Sequence, residues 1–212
     1  MKERLFLSMA KGEDGFYAKI RDDPRGKTHL EQLEAMWVKY RDHAPKGFRR
    51  KLQFEFHQRW WEMYLTIGLV HLGFNARSSR SDKGPDLVVE VGGNRLWIEA
   101  VVPSVGTKSD RVPKPIMNGV GDYPKRECLL RLAQGLDGKQ KALTKYIQES
   151  TILPEEPCII AISACKLNQF GSLLDWPCPA PLALLSGAGH MVVTLHGSRE
   201  PYCSRTSPPA AP

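Results

Sequence analysis

Apolar positions recur at helical spacing in three parts of the chain and bunch into short runs between the last two of them. Over 28–43, Leu30, Leu33, Met36, Trp37 and Tyr40 fall on one stripe, which predicts an amphipathic helix. Thr28 with Glu31 three residues on has the form of a capping box, and Pro45 and Gly47 close the segment. A longer helix is predicted over 49–72, where Leu52, Phe56, Trp60, Met63, Ile67 and Val70 recur and Gly73 suits the residue beyond the last turn. Two apolar runs, 87–91 and 96–102, then flank Gly92-Gly93-Asn94 and read as a β-hairpin. A third helix is predicted over 125–149, weakened at Gly135 and Gly138. The run 158–163 reads as a buried strand, parallel to a hairpin strand because a long helix precedes it. From 49 onward the order is helix, strand, strand, helix, strand.

The remaining segments read as connections. Residues 1–27 are polar and glycine-containing, an irregular start. Residues 75–83 form a polar, basic loop, and 103–122 a long Gly/Pro/Ser-rich one that could serve as a lid. Residues 191–196 suggest one more edge strand. The ending 204–212 is too poor in apolar residues to bury a core and is expected to be disordered.

The hairpin carries the candidate chemistry. A two-residue turn at Gly92-Gly93 pairs residues whose numbers sum to 185 and sets Asp86 opposite Glu99. A turn at Gly93-Asn94 would set Asp86 opposite Val101 and keep it on the face of Glu99, whereas a bulged loop could break this parity. Two facing carboxylates repel unless a positive charge sits between them, and a divalent cation is the natural partner. Pro85 is compatible with a strand entry, where its missing N–H joins no ladder.

Composition narrows the function classes. A 42% hydrophobic and 25% charged chain of 212 residues is long enough for one full core, and no apolar run approaches a membrane span or a signal-peptide core. Five widely spaced cysteines without a Cys-x-x-Cys pair argue against a disulfide framework or a zinc site and suggest mostly buried, reduced thiols. A cytoplasmic protein with no membrane partner is the expectation. Net charge is +7, and residues 1–60 hold 14 Lys and Arg against nine Asp and Glu. That excess is compatible with a polyanionic partner.

Other polar residues have plain readings on periodicity alone. Glu62 is a solvated helix carboxylate, and Trp60-Trp61 belong to a core. His57 and His71, fourteen residues apart, cannot share one metal ion. His190 and His196 read as surface residues. Arg77 and Arg80 in the basic loop could contact phosphate or simply face solvent. The glycines after Pro177 lack the Lys-Ser/Thr of a phosphate-binding loop.

With Pro85-Asp86, Glu99 thirteen residues after that Asp, a preceding helix carrying Glu62 in Arg59-Trp-Trp-Glu, and a helix following, the chain resembles the PD-(D/E)XK nuclease superfamily over 54–163. The pattern departs from the family at Val101, where a lysine is usual. Some branches move that lysine to the following helix, and Lys139, eight residues beyond Arg131, fits such a variant. Eight residues advance a helix about 80° past two full turns, so both can face one broad site, whereas Lys141 lies about 200° round from Lys139.

The resemblance implies a restriction-endonuclease-like αβββαβ core: an α/β protein with a mixed sheet flanked by helices, over 49–200. It would be preceded by an N-terminal extension with one helix (1–48) and followed by a disordered tail (201–212). It further implies catalytic roles for Asp86, Glu99, Lys139 and Glu62. Mg²⁺ or Mn²⁺ would be held by Asp86, Glu99, Glu62 and the Ala100 backbone carbonyl. Arg131, Lys141, Arg77 and Arg80 would contact phosphate. The expected activity is metal-dependent endonucleolytic hydrolysis of phosphodiester bonds, with DNA as the expected nucleic acid and a homodimer compatible. The alternative is a catalytically weak or inactive nucleic-acid-binding relative, motivated by Val101.

Overall fold

A computed structural model describes residues 3–79, 84–114 and 124–167. Five helices and a four-stranded sheet are present among them. The order is α1 (Gly15–Asp22), a 3-10 turn (Pro24–Gly26), α2 (Lys27–Tyr40), α3 (Phe48–Phe54), α4 (Phe56–His71), β1 (Asn75–Ser78), β2 (Leu87–Val91), β3 (Asn94–Val101), α5 (Lys125–Gln148) and β4 (Cys158–Ile162).

The N-terminal region is more structured than its polarity suggests. Asp14 caps α1 by accepting from the amides of Phe16 and Tyr17 at 2.8 and 3.2 Å, a signal masked by the surrounding charge. Leu5 and Tyr17 are fully buried, and the Tyr17 hydroxyl accepts from the Leu7 amide at 2.6 Å. Residues 1–48 thus hold two helices rather than one. They share a core with α4: Leu5, Tyr17, Leu33, Trp37 and Tyr40 pack together with Phe48, Leu52, Phe56 and Met63.

Helix boundaries differ where local geometry overrides the pattern. The 3-10 turn runs straight into α2, so Gly26 rather than Thr28 is its N-cap, and the helix stops at Tyr40. The predicted helix 49–72 breaks at Glu55, whose φ of −130° leaves the helical region, and becomes α3 and α4. Gly73, at φ +87°, ends α4 as expected.

The sheet order is β1-β2-β3-β4, with β4 parallel to β3 and the other pairs antiparallel. β1 replaces the first part of the predicted basic loop. Only Ala76 and Ser78 of its four residues are buried, so the sequence shows too short an alternation to announce a strand. β4 takes the predicted parallel place, but is half-buried rather than buried. The hairpin follows the 185 register, from Leu87 opposite Ile98 to Val91 opposite Asn94. Gly92 and Gly93 take φ of +56° and +82°, the left-handed pair that a two-residue turn of this kind requires.

One sheet face packs Ala76, Leu87, Val89, Ile98 and Ala100 against Trp61, Leu65 and Leu69 of α4. The other packs Val88 and Trp97 against Leu143, Tyr146 and Ile147 of α5 and against Ile152. Of the long connection, 103–114 is described and closes on itself through the Val112 amide and the Val105 carbonyl at 2.8 Å. Of the described cysteines, Cys128 is buried, Cys158 half-buried and Cys165 exposed, fewer of them buried than expected. No helix among the described residues is long and apolar enough to cross a membrane. The expected strand at 191–196, His190, His196 and the expected disordered tail lie outside the described residues.

α5 crosses close over the exit of β3. A Cβ on Gly135 would meet Cγ of Pro103 at 2.9 Å and Cγ2 of Val101 at 3.6 Å, whereas one on Gly138 would meet nothing within 4 Å. Two Gly→Ala changes three residues apart therefore have opposite effects. Gly138→Ala should raise stability by about 0.5–1 kcal/mol through helix propensity. Gly135→Ala should lower it by about 1–3 kcal/mol through overpacking, the clash outweighing the propensity gain. Urea unfolding of both variants measures the difference.

Candidate functional site

The hairpin register brings Asp86 and Glu99 onto the face covered by α5. β2 begins at Leu87, so Asp86 sits one residue outside the ladder, opposite Glu99 in the continued register. Its carboxylate turns back to the neighbouring strand: Oδ2 accepts from the Ala100 amide at 2.9 Å. Glu99 is almost wholly inaccessible, at 1% exposure. α5 supplies the positive charge between them. The Lys139 ammonium lies 3.2 Å from Asp86 Oδ2 and also donates to Glu99 Oε2.

This delivery follows from helix geometry. Gly135 seats α5 against Val101, and Lys139 is one turn further along the same side. The side chain at 101 shares the strand face of Glu99, because residues two apart on a strand point the same way. The helix that packs on Val101 therefore carries the lysine that meets Glu99.

The charges perturb one another. Burial first, and the Asp86 charge second, push the Glu99 carboxyl from 4.5 up to about 7, against the pull of Lys139. Burial disfavours the Lys139 ammonium, but the Asp86 and Glu99 carboxylates outweigh it and its pKa is raised. Tyr146, seven residues after Lys139 and so on the same helix side, has its hydroxyl raised by burial and by the Glu99 charge, with a Glu99 hydrogen bond contributing.

Glu62 arrives from the other side of the sheet. It is buried at 5% exposure, and its carboxyl is raised by burial and by the Asp86 charge. Both its oxygens accept from Arg59 Nη1, at 2.8 and 2.9 Å, and Oε1 also accepts from Gln58 Nε2 at 2.9 Å. Gln58 reaches β3 as well: Nε2 donates to the Ala100 carbonyl at 3.2 Å, and Oε1 accepts from the Val102 amide at 3.0 Å. Glu62 is therefore not a solvated carboxylate. It is an arginine-paired acid close enough to Asp86 for the two charges to interact.

The other expected positions fall elsewhere. The Arg131 guanidinium is engaged by the Ser104 carbonyl (2.8 Å), the Ser104 hydroxyl (3.0 Å), Asp110 (2.9 Å) and Gln134 (2.6 Å). It pins the loop after β3, and its angular offset from Lys139 turns it to that loop. Lys141 is exposed and pairs with Asp137 at 2.7 Å, in keeping with its different helix side. Arg77 lies on β1 and pairs with Glu90 at 3.0 Å. Arg80 lies outside the described residues. Gln58, Arg59 and Tyr146 were not singled out as site residues by sequence reasoning. Their signal is spacing: four and three residues before Glu62, and seven after Lys139.

Among the described residues, no group of three or more His, Cys, Asp or Glu side chains is arranged to hold a metal ion. The donor chemistry nevertheless fits a magnesium-type ion, which is usually held by one or two carboxylates plus phosphate oxygens and water. Asp86 and Glu99 supply the carboxylates. Glu62, with both oxygens on Arg59, suits a supporting role rather than a ligand role. The Ala100 carbonyl accepts from Gln58 and keeps a second lone pair.

A cavity of about 700 Å³ lies apart from this cluster, between α1, α2 and α4, with Phe16, Phe56, Trp60 and Tyr64 in its wall. It shares none of the cluster's residues. Comparisons with protein-family models, with curated proteins and with solved structures find no match.

The raised Glu99 pKa has a stability consequence in the metal-free protein. The folded state holds this proton more tightly than the unfolded chain, so the associated stability is present below about pH 4.5. It is lost as pH rises through about 7. Urea unfolding at pH 5 and pH 8 should show wild type losing about 1–3 kcal/mol more than Glu99→Gln over that interval. Equal losses in the two proteins would show that Glu99 does not titrate in this way.

Proposed function

We propose that the protein is a divalent-metal-dependent nuclease, hydrolysing phosphodiester bonds in DNA, with a restriction-endonuclease-like core. The observation that carries this reading is Lys139 reaching both Asp86 and Glu99 from the helix that packs on Val101. The αβββαβ order from α4 to β4 and the mixed sheet support it.

In this reading Asp86 and Glu99 hold the ion, with the Ala100 carbonyl available beside them. When bound, the ion would polarise phosphate oxygens and lower the pKa of its water. Lys139 is an ammonium held between two carboxylates, and the same donor can orient the attacking water or a phosphate oxygen. Water adds to phosphorus as the bond to the leaving sugar oxygen breaks. The water's proton passes to an acceptor such as a site carboxylate, and the leaving oxygen takes up a proton. Arg59 keeps the Glu62 charge compensated next to Asp86. Tyr146 lends a polar hydroxyl beside Glu99.

The test is cleavage of plasmid and single-stranded DNA with Mg²⁺ or Mn²⁺ and with chelator. Metal-dependent cutting is expected. Asp86→Asn, Glu99→Gln and Lys139→Ala should each reduce it by about 10²-fold or more, while Lys141→Ala leaves it near wild type. Cutting that persists unchanged in Asp86→Asn and Glu99→Gln would overturn the assignment. DNA binding without cutting under every metal condition would favour the inactive relative.

A further inference from the structure

We propose that Gln58 is a positioning residue for this site, resting on the nuclease reading above: its carboxamide stands in for the strand that β2 does not provide. Residues 98, 100 and 102 of the chain turn their backbone groups toward β2, whereas 97 and 101 turn theirs toward β4. The Trp97 amide donates to the Pro157 carbonyl at 2.9 Å, and the Val101 carbonyl accepts from the Ser163 amide at 2.9 Å. The β2 ladder ends at Leu87 opposite Ile98. Beyond that pair, the Ala100 amide, the Ala100 carbonyl and the Val102 amide face the β2 side with no strand among the described residues to meet them.

Two side chains meet them instead. Asp86 Oδ2 accepts from the Ala100 amide at 2.9 Å. Gln58 donates to the Ala100 carbonyl at 3.2 Å and accepts from the Val102 amide at 3.0 Å, the donor and acceptor pair that a strand backbone would present. One peptide unit away from Glu99, the chain is therefore fixed from both sides. Asp86 is fixed with it, because its carboxylate hangs on the Ala100 amide. Gln58 Nε2 also donates to Glu62 Oε1, which links the α4 acid to the same point on β3. Ala100 itself is fully buried, so water is a poor substitute for these partners.

The function follows from where the constraint acts. A phosphodiesterase site needs its two carboxylates held to a fraction of an ångström, and outer partners of such ligands typically change metal affinity or activity by about 10–100-fold when removed. The hydrogen bonds of Gln58 go to Ala100, Val102 and Glu62 rather than to Asp86, Glu99 or Lys139, and through Ala100 and Glu62 it positions the two carboxylates. Gln58→Glu keeps an acceptor for Val102 but loses the donor to Ala100 and Glu62 and sets a second carboxylate against Glu62. It should be more damaging than Gln58→Ala.

The experiment compares wild type, Gln58→Ala and Gln58→Glu by three readouts. These are Mn²⁺ binding by calorimetry without nucleic acid, kcat and KM for DNA cleavage, and thermal melting. In Gln58→Ala we expect about tenfold weaker Mn²⁺ binding and about tenfold lower kcat, with KM for DNA unchanged and a cooperative melt retained. Gln58→Glu should weaken both further. Wild-type Mn²⁺ affinity and kcat in Gln58→Ala would overturn the proposal. So would a parallel decline of kcat, DNA affinity and melting cooperativity, which marks a merely structural role. A wild-type protein that binds Mn²⁺ but cuts nothing sinks the nuclease reading instead, and the Mn²⁺ affinities of the two variants still decide the part played by Gln58. A wild type that neither binds Mn²⁺ nor cuts overturns both.

Discussion

Asp86 and Glu99 face each other because a two-residue glycine turn fixes the register between β2 and β3, and the Lys139 ammonium between them makes that arrangement tolerable. Removed from water, two carboxylates at this separation would drive one another toward protonation, and Glu99, pushed to about 7, retains part of that effect. The lysine must come from outside the sheet, since the strand position that could supply it holds Val101. The placement of α5, the depth at which it lies on β3 and the course of the connecting loop all bear on that one contact. Gly135 permits the approach, and Leu143 and Tyr146 continue the packing along the helix. Arg131 ties the loop after β3 to the helix that follows it.

The opposite side of the sheet is constrained in a complementary way. α4 lays Trp61, Leu65 and Leu69 on the apolar face, and its Trp61 indole donates to the Ala161 carbonyl of β4 at 2.9 Å. The same helix sends Gln58 and Glu62 to the end of β3. Arg59 balances Glu62, so α4 contributes little uncompensated charge to a region that already holds two carboxylates. The N-terminal helices pack on α4 in turn, which makes them part of the support of the site rather than an independent appendage.

Much of this was legible from residue spacing. The hairpin, the shared face of Asp86 and Glu99, the parallel β4 and the long α5 follow from apolar runs, turn glycines and element order, whereas the choice between the two candidate turns does not. The separation of Lys139 from Lys141 around the helix follows from spacing as well. What was not legible depends on tertiary contact. β1 has one buried apolar residue in four, and pairing with β2 makes it a strand. The engagement of Arg131 by the loop 103–114 was not legible either, because helical angle alone cannot reveal that the loop folds back onto it. Gln58 carries no compositional signal, because its role is to satisfy backbone groups left open where β2 ends. Glu62 reads as solvated on periodicity alone, and the depth of α4 against the sheet is what buries it.

The proposed chemistry requires α5 to supply the positive charge beside Asp86 and Glu99. The most direct measurement places a lysine on the strand: Mg²⁺-dependent cleavage by Lys139→Ala, compared with the double variant Lys139→Ala/Val101→Lys. Position 101 is only partly buried and shares the face of Glu99, so a lysine there can extend toward the same carboxylates. The account predicts that cutting is lost in the single variant and regained, at least in part, in the double. A Lys139→Ala protein that cuts at the wild-type rate would contradict it.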